Sequence, residues 1–222
     1  MVQKNRHAPP LKTPPPKTDA PALPKRRGRP RAYQPDVALA KALDLFRKEG
    51  FAATSLDDLS AATGMNRPSL YGAFGDKREL YIKSYQRYRD DARAAMIEIF
   101  RREMPIRERL SRIYAIALDI YLSGDTPRGC FTVMTAASEA VFDPQIRNMV
   151  LEGFVELDKA FATCFRRSKE KGGLAENADP IVLAQLASAT LHTVAIRARA
   201  GVPRKELEVI VKGAIDVMCR TA

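Results

Sequence analysis

The chain has 222 residues, 45% of them hydrophobic and 28% charged, which is ordinary for a soluble protein with one small and one larger domain. Lysine and arginine number 37 against 26 acidic residues, and the formal charge of +11 favours a polyanionic partner such as nucleic acid. No apolar run approaches the roughly 18 residues of a membrane span and no hydrophobic signal core begins the chain, so we expect neither a membrane protein nor a secreted one.

Residues 1–35 have the composition of a disordered basic arm. They hold nine basic residues, one acidic residue and nine of the 15 prolines, and too few large apolar side chains to offset the entropy of ordering. Within the arm, Arg27-Gly28-Arg29-Pro30 resembles the core of an AT-hook, in which arginines enter the narrow minor groove of A·T-rich DNA. The alternative is a solvated arm that touches only phosphates.

Three short helices are predicted to follow. Apolar residues at helical spacing predict the first over 36–49, and the next two are separated by a tight turn at Gly64. Ser55 and Asn66 are placed to cap the second and third helices, and Asp76 to cap a fourth. This is the arrangement of a helix-turn-helix, whose second helix enters the DNA major groove.

The pattern S-L-Y-x-x-F-x-x-K from Ser69 to Lys77, with the preceding F-A-A-T-S-L-D-D-L, resembles the DNA-binding region of the tetracycline-repressor (TetR) family, AcrR-like members above all. The resemblance covers residues 36–82. It implies a DNA-binding head followed by a helical body that binds a small molecule and forms a homodimer. The alternative is a three-helix domain of the same shape without a DNA role.

Residues on the outer face of the third helix and near it are the candidate DNA contacts. Arg67, in the first turn, can bond guanine O6 and N7 together, Ala73 can touch a thymine methyl group, and Lys77 offers a charge for phosphate. The full set is Arg27, Arg29, Ser55, Arg67, Pro68, Ser69, Tyr71, Gly72, Ala73 and Lys77.

Six further helices are expected over about 77–102, 105–123, 130–141, 144–171, 179–199 and 203–219, separated by Gly and Pro clusters. No segment alternates like a strand, so the predicted fold is all-α. Its predicted parts are the arm at 1–35, a three-helix DNA-binding head at 36–82, and a helical bundle for ligand binding and dimerisation at 83–222.

Two sets of residues in the bundle are candidates for function through the resemblance. In a TetR-like protein the last two helices pair with their copies, and the residues predicted for this interface are Ala184, Ala187, Ser188, Leu191, Leu207, Ile210, Val211 and Ala214. The residues predicted to line a ligand pocket are Tyr114, Cys130, Phe131, Met134, Phe154, Phe161 and His192. The alternative for both sets is the plain core of one protomer.

Catalysis and bound cofactors are not expected. The chain has two histidines, His7 and His192, and lacks catalytic or phosphate-loop motifs, while its three cysteines show neither metal nor disulfide spacing. We therefore predict a cytoplasmic, nucleoid-associated bacterial regulator, a repressor that binds a palindromic double-stranded operator as a homodimer and is released by a small-molecule effector. The alternatives are an architectural minor-groove protein and a small-molecule binding protein with a vestigial head.

Overall fold

The computed structural model describes residues 34–220, and all regular structure within that range is helical. The predicted arm contacts Arg27 and Arg29 therefore lie outside the described residues. The helices are α1 (Pro35–Glu49), α2 (Leu56–Thr63), α3 (Arg67–Phe74), α4 (Lys77–Arg101), α5 (Ile106–Tyr121), α6 (Thr132–Ala136 and Ala137–Glu139), α7 (Pro144–Glu170), α8 (Pro180–Arg199) and α9 (Arg204–Met218). Each lies within a few residues of its predicted position.

Side-chain caps set the ends of the short helices. Ser55 Oγ accepts a hydrogen bond from the Asp58 N–H at 3.1 Å, and Asp58 Oδ2 accepts one from the Ser55 N–H at 2.8 Å, which completes a capping box. The Asn66 and Asp76 side chains cap α3 and α4 by accepting a single hydrogen bond each, from the N–H groups of Ser69 and Glu79. Gly64 ends α2 in the left-handed conformation, at φ 73°, which a side chain would disfavour.

The first three helices pack around their own apolar residues and are joined to the body by an aromatic cluster. Phe46 of α1 is fully buried, with its ring edge-on to Tyr81 of α4 at 5.0 Å between centroids. Tyr81 in turn meets Phe131 at 5.2 Å. These rings make one continuous core between the helix-turn-helix and the bundle, because each contacts a neighbour from a different helix.

The start of α6 differs from the regular helix expected over 130–141. Thr132–Ala136 is π-helical, a wider turn that brings Thr132 and Thr135 to face α4. The Tyr81 hydroxyl bonds Thr135 Oγ1 at 3.1 Å, and the Tyr85 hydroxyl bonds Thr132 Oγ1 at 3.3 Å. Both phenols are buried, and burial raises the pKa of Tyr85 to about 12.

Helices α4 and α7 lie side by side and run in the same direction. Arg78 Nη2 donates to Asp143 Oδ1 at 2.9 Å near their starts, Arg89 Nη2 to Glu156 Oε2 at 3.2 Å midway, and the rings of Phe100 and Phe161 lie 5.4 Å apart near their ends. Helix α8 packs between α7, α5 and α9. This arrangement leaves a space between α4 and α7, and residues of α5 and α8 close one side of it.

Helix α8 is apolar enough, by length and composition alone, to cross a membrane, with a mean hydropathy of 1.4 over its most apolar window. The helix is nevertheless not a continuous apolar run of the length that the sequence analysis considered, because Gln185, Ser188 and His192 interrupt it. Its inner residues Ala187, Leu191 and Ala195 are buried in the bundle, whereas Leu186 and Ile196 are exposed on the opposite side. The helix is therefore apolar on both faces, and only one of these faces is covered within the protomer.

Candidate nucleic-acid interface and cavity

Helix α3 presents an open surface that begins at a capped end. Asn66 Oδ1 accepts a hydrogen bond from the Ser69 N–H at 2.9 Å, which fixes the first turn. Tyr71 is 47% exposed, and no atom lies within 4 Å of the position that a Cβ on Gly72 would take. The opposite face of α3 is held by buried Leu70 and Phe74. The predicted contacts Pro68, Tyr71 and Gly72 thus share a surface that another molecule can approach.

Arg67 starts this surface, but its guanidinium is already engaged. Its Nε and Nη2 donate to the two carboxylate oxygens of Asp57 on α2, at 3.0 and 2.7 Å. Hydrogen bonding to Asp57 raises the pKa of Arg67. Both side chains are exposed, so the pair adds little stability, yet it holds the guanidinium beside the first turn of α3.

Two of the other predicted contacts have side-chain partners within the chain, and two are half-buried. Ser55 Oγ is occupied by the capping box, and the Lys77 ammonium lies 4.3 Å from the centroid of the Phe51 ring. Ala73 is half-buried against the core, which leaves less of its methyl group for a base than the sequence predicts. Ser69 is half-buried at the first turn.

The predicted dimer-interface residues lie mostly inside the protomer. Six of the eight are buried inside the protomer because they pack α8 and α9 against α5 and α7. These six are Ala184, Ala187, Ser188, Leu191, Leu207 and Val211. Ile210 and Ala214 are half-buried. The apolar side chains that do face outward on these helices are Ile181, Val182, Leu186, Ile196, Val209 and Val217.

A cavity of about 730 Å³ lies between α4 and α7. Its apolar wall includes Tyr88, Met96, Ile97, Phe100, Tyr121, Phe154, Leu157 and Leu191. Charged side chains rim it, with Arg89 paired to Glu156 at 3.2 Å and to Glu152 at 3.8 Å. A cavity of this size, mainly apolar with a few polar groups, has the properties of a small-molecule site.

The structure brings three of the seven predicted pocket residues to this cavity, namely Cys130, Phe154 and His192. The ring of His192 lies 5.0 Å from that of Phe154, and burial lowers the pKa of His192, so the imidazole is neutral at pH 7. Thus its wall position is compatible with an uncharged ligand.

The other four predicted pocket residues do not line this cavity, because they are used in packing. Tyr114 is fully buried and donates a hydrogen bond to the Ala187 carbonyl at 3.0 Å. Phe131 belongs to the aromatic cluster, Phe161 packs on Phe100, and Met134 lies against Gly129. The sequence analysis missed Tyr88 and Tyr121 as lining residues, although both are aromatic residues at helical core spacing.

The cavity has two chemically different ends. The end nearer the helix-turn-helix, which we call the proximal end, is formed by Tyr88, Tyr121, Cys130 and Thr132. The distal end is mainly apolar, with Met96, Phe100 and Ala160, and Thr163 follows Ala160 on α7. Burial raises the pKa of Tyr88 and of Tyr121 well above that of a free phenol, so both hydroxyls stay protonated and can donate hydrogen bonds.

Family comparisons agree with both parts of the structure. A family model described as "Bacterial regulatory proteins, tetR family" matches residues 38–83, and one described as "Tetracyclin repressor-like, C-terminal domain" matches residues 107–213. The HTH-type transcriptional repressor ComR of Escherichia coli (strain K12) is 29% identical over 184 residues, which cover 82% of this chain and 88% of ComR.

Solved structures give the same picture. A cysteine mutant of the TetR family transcriptional regulator CifR, complexed with 26-base-pair double-strand operator DNA, is 30% identical with a TM-score of 0.74, over 85% of this chain and 98% of that one. The reduced form of E. coli NemR shares the fold, with a TM-score of 0.70 at 20% identity over 81% of this chain and 94% of NemR.

Proposed function

The chain belongs to the TetR family of bacterial transcriptional regulators, and we propose that it represses transcription by binding an inverted-repeat operator as a homodimer. A small molecule in the cavity between α4 and α7 releases the DNA. The observation that carries the proposal is the capped α2–turn–α3 unit with its open α3 surface. CifR, at 30% identity, binds operator DNA, and ComR and BdcR of E. coli are named repressors. On this proposal the protein acts in the cytoplasm.

The DNA contacts proposed on α3 follow from exposure and chemistry. Arg67 exchanges its Asp57 partner for a base edge, where its two-pronged guanidinium matches guanine. Tyr71 and Ser69 offer hydroxyl groups to phosphates, while Gly72 keeps the helix surface low enough for close approach. Ser55 acts indirectly as the cap of α2, and Lys77 adds charge at the start of α4.

The proposed dimer uses the outward faces of α8 and α9. Leu186 and Ile196 on α8 and Val209 and Val217 on α9 are all exposed in the protomer, and a second copy would remove them from water. A two-fold dimer presents two identical α3 helices, so its half-sites are inverted repeats spaced near whole turns of DNA.

The proposed effector is a small, largely apolar molecule with at least one hydrogen-bond acceptor. The apolar distal end suits its body, and the two protonated phenols at the proximal end suit an acceptor oxygen. Release requires that the effector bind the free form of the regulator more tightly than the DNA-bound form.

Selection of DNA from a random pool by the purified full-length protein tests the proposal. We expect enriched sequences with two-fold symmetry, and enrichment of a single unrepeated motif would contradict the dimer. Enrichment of A·T-rich DNA without a palindrome, retained when Arg67–Phe74 is deleted, would instead support the architectural minor-groove alternative. No enrichment at any salt concentration would support the vestigial-head alternative.

The dimer surface has its own test in sedimentation. Leu186→Glu places a charge on the outward face of α8, and we expect it to convert dimers into monomers. Phe142→Glu changes an 84% exposed residue outside the proposed surface and serves as the matched control. A dimer that survives Leu186→Glu would overturn the proposed surface.

A further inference from the structure

Arg47 belongs to the DNA-binding head by sequence and to the bundle by contact. It lies in the last turn of α1, yet its Nη2 donates to the carbonyl oxygens of Ile120 at 2.8 Å and Gly129 at 3.1 Å. Ile120 is near the end of α5, where helix carbonyls lack partners within the helix. The Gly129 N–H bonds the Tyr121 carbonyl at 2.9 Å, so one guanidinium ties α1 to both sides of a closed loop.

The same guanidinium lies against the back of the cavity wall. Its Cζ is 5.3 Å from the centroid of the Tyr88 ring, and Tyr88, Ile120, Tyr121 and Cys130 all line the cavity. Its Nε is buried with no hydrogen-bond partner among residues 34–220. One N–H of the guanidinium is thus already unpaired, so a displacement of the wall that breaks the Nη2 bonds would leave a second buried donor without a partner and weaken the attachment of α1.

We propose that Arg47 couples the proximal end of the cavity to the DNA-binding helices. An occupant that displaces Tyr88 or Tyr121 moves the two carbonyl acceptors away from Arg47 and loosens α1, on which α2 and α4 pack. An occupant confined to the distal end leaves α1 in place. The inference rests on the proposed function only in taking the cavity as the effector site.

Two other arginines join α1 to the bundle without touching the cavity, and they provide controls. Arg199 of α8 donates from Nη1 to the Arg47 carbonyl at 2.9 Å, and Arg128 donates from Nε to Asp44 at 3.1 Å. Neither lines the space between α4 and α7. Loss of Arg199 should weaken the attachment of α1 yet leave its response to the cavity intact.

The experiment fills each end of the cavity with a side chain, since the effector is unidentified. Cys130→Leu adds volume at the proximal end, and Ala160→Phe adds it at the distal end. Each is made in the natural chain, in Arg47→Met and in Arg199→Met, and hydrogen exchange of the α1 backbone amides is measured by mass spectrometry. Exchange needs no DNA, while the affinity for the selected operator is measured in parallel.

We expect Cys130→Leu to speed α1 exchange and to raise the operator Kd by about tenfold, a typical coupling between two sites. In Arg47→Met the added effect should be no more than about twofold, whereas in Arg199→Met it should stay near tenfold. Ala160→Phe should leave α1 exchange unchanged in all three chains.

Equal effects of Cys130→Leu in the natural chain and in Arg47→Met would overturn the proposal, as would equal effects of the two filled ends. If Cys130→Leu does not fold, methyl methanethiosulfonate is added instead to the folded chain carrying Cys164→Ala and Cys219→Ala. The Cys130 sulfur then forms a disulfide with the methylthio group, and methanesulfinate leaves. If the filled proximal end speeds α1 exchange but no operator sequence can be selected, the proposed function is contradicted and the coupling through Arg47 is not.

Discussion

The helix-turn-helix and the cavity are held in place by different kinds of interaction. Helices α2 and α3 have eight residues each, and their ends are fixed by side chains within three residues, Ser55 with Asp58 and Asn66 with Ser69. The cavity lies between α4 and α7, of 25 and 27 residues, whose contacts join positions about 65 residues apart. The structure of the DNA-reading unit is therefore determined by residues close together in the chain. The cavity instead depends on the spacing between two long helices, α4 and α7.

The difference indicates which part can change. We expect the capped short helices packed on Leu59, Leu70 and Phe74 to move as one body, because the hydrogen bonds that fix their starts lie within each helix and its cap. At the middle of α4 and α7, Glu156 is paired with the largely buried Arg89 at 3.2 Å and with the exposed Arg93 at 2.7 Å, and Glu156 itself is half exposed to solvent. A regulator built in this way changes the position of its reading unit rather than its shape.

The largest expected effect concerns the aromatic cluster that joins the two regions. Phe46→Ala removes a fully buried ring that packs on Phe51 and Tyr81, and it should lower the free energy of unfolding by about 3–5 kcal/mol. Urea unfolding measures the loss. Phe142→Ala, at an exposed position, should change stability by less than about 0.5 kcal/mol. Equal losses would show that the two regions do not share a core.

The next largest effect is expected at Arg67, which we propose contacts a base in the operator. Arg67→Ala should cost about 1–3 kcal/mol in operator binding and relax the choice of one base per half-site. Asp57→Ala frees the guanidinium and should keep the base preference, while Lys77→Ala should weaken all sequences evenly. Binding is measured against every single-base operator variant. An unchanged preference in Arg67→Ala would make it a phosphate contact.

The contribution of the cap to the stability of α2 can be tested with two serines, Ser55 at the N-cap and Ser60 within the helix. Ser55→Ala removes the cap and should cost about 1 kcal/mol of stability. Ser60→Ala removes a buried hydroxyl without a partner among residues 34–220, so it should be neutral or slightly stabilising. Urea unfolding compares the two variants. A larger loss for Ser60→Ala would show that capping does not govern this helix.

The smallest expected effect is a pH dependence from the cavity wall. Burial, opposed by Asp158, lowers the pKa of His192 below its ordinary 6.5, so the unfolded chain binds the proton more readily. The free energy of unfolding is therefore not reduced by His192 above about pH 7. It falls as the pH drops through 6.5 towards the lower pKa of His192 in the folded chain. His192→Gln should flatten this part of the urea-unfolding profile. An unchanged profile would place His192 in water.

The sequence predicts the locally specified region well and the cavity only in part. Ser55, Asn66 and Gly64 act on neighbours in the chain, so their roles follow from spacing alone. The wall residues Tyr88 and Tyr121 come from different helices, and their meeting depends on the packing of α4 against α5. On α8 the inner and outer faces are both apolar, so no polar side indicated which one the protomer covers.

The two-faced apolarity of α8 also has a consequence during biosynthesis. Residues 180–199 leave the ribosome after α5 and α7 but before α9, so only part of the surface that covers the inner face already exists when α8 emerges. On the proposed dimer surface, the outer strip with Leu186 and Ile196 stays in contact with solvent until a second copy binds. Newly made chains therefore pass through an interval in which aggregation competes with pairing. High expression shortens the search for a partner and at the same time raises the risk of precipitation.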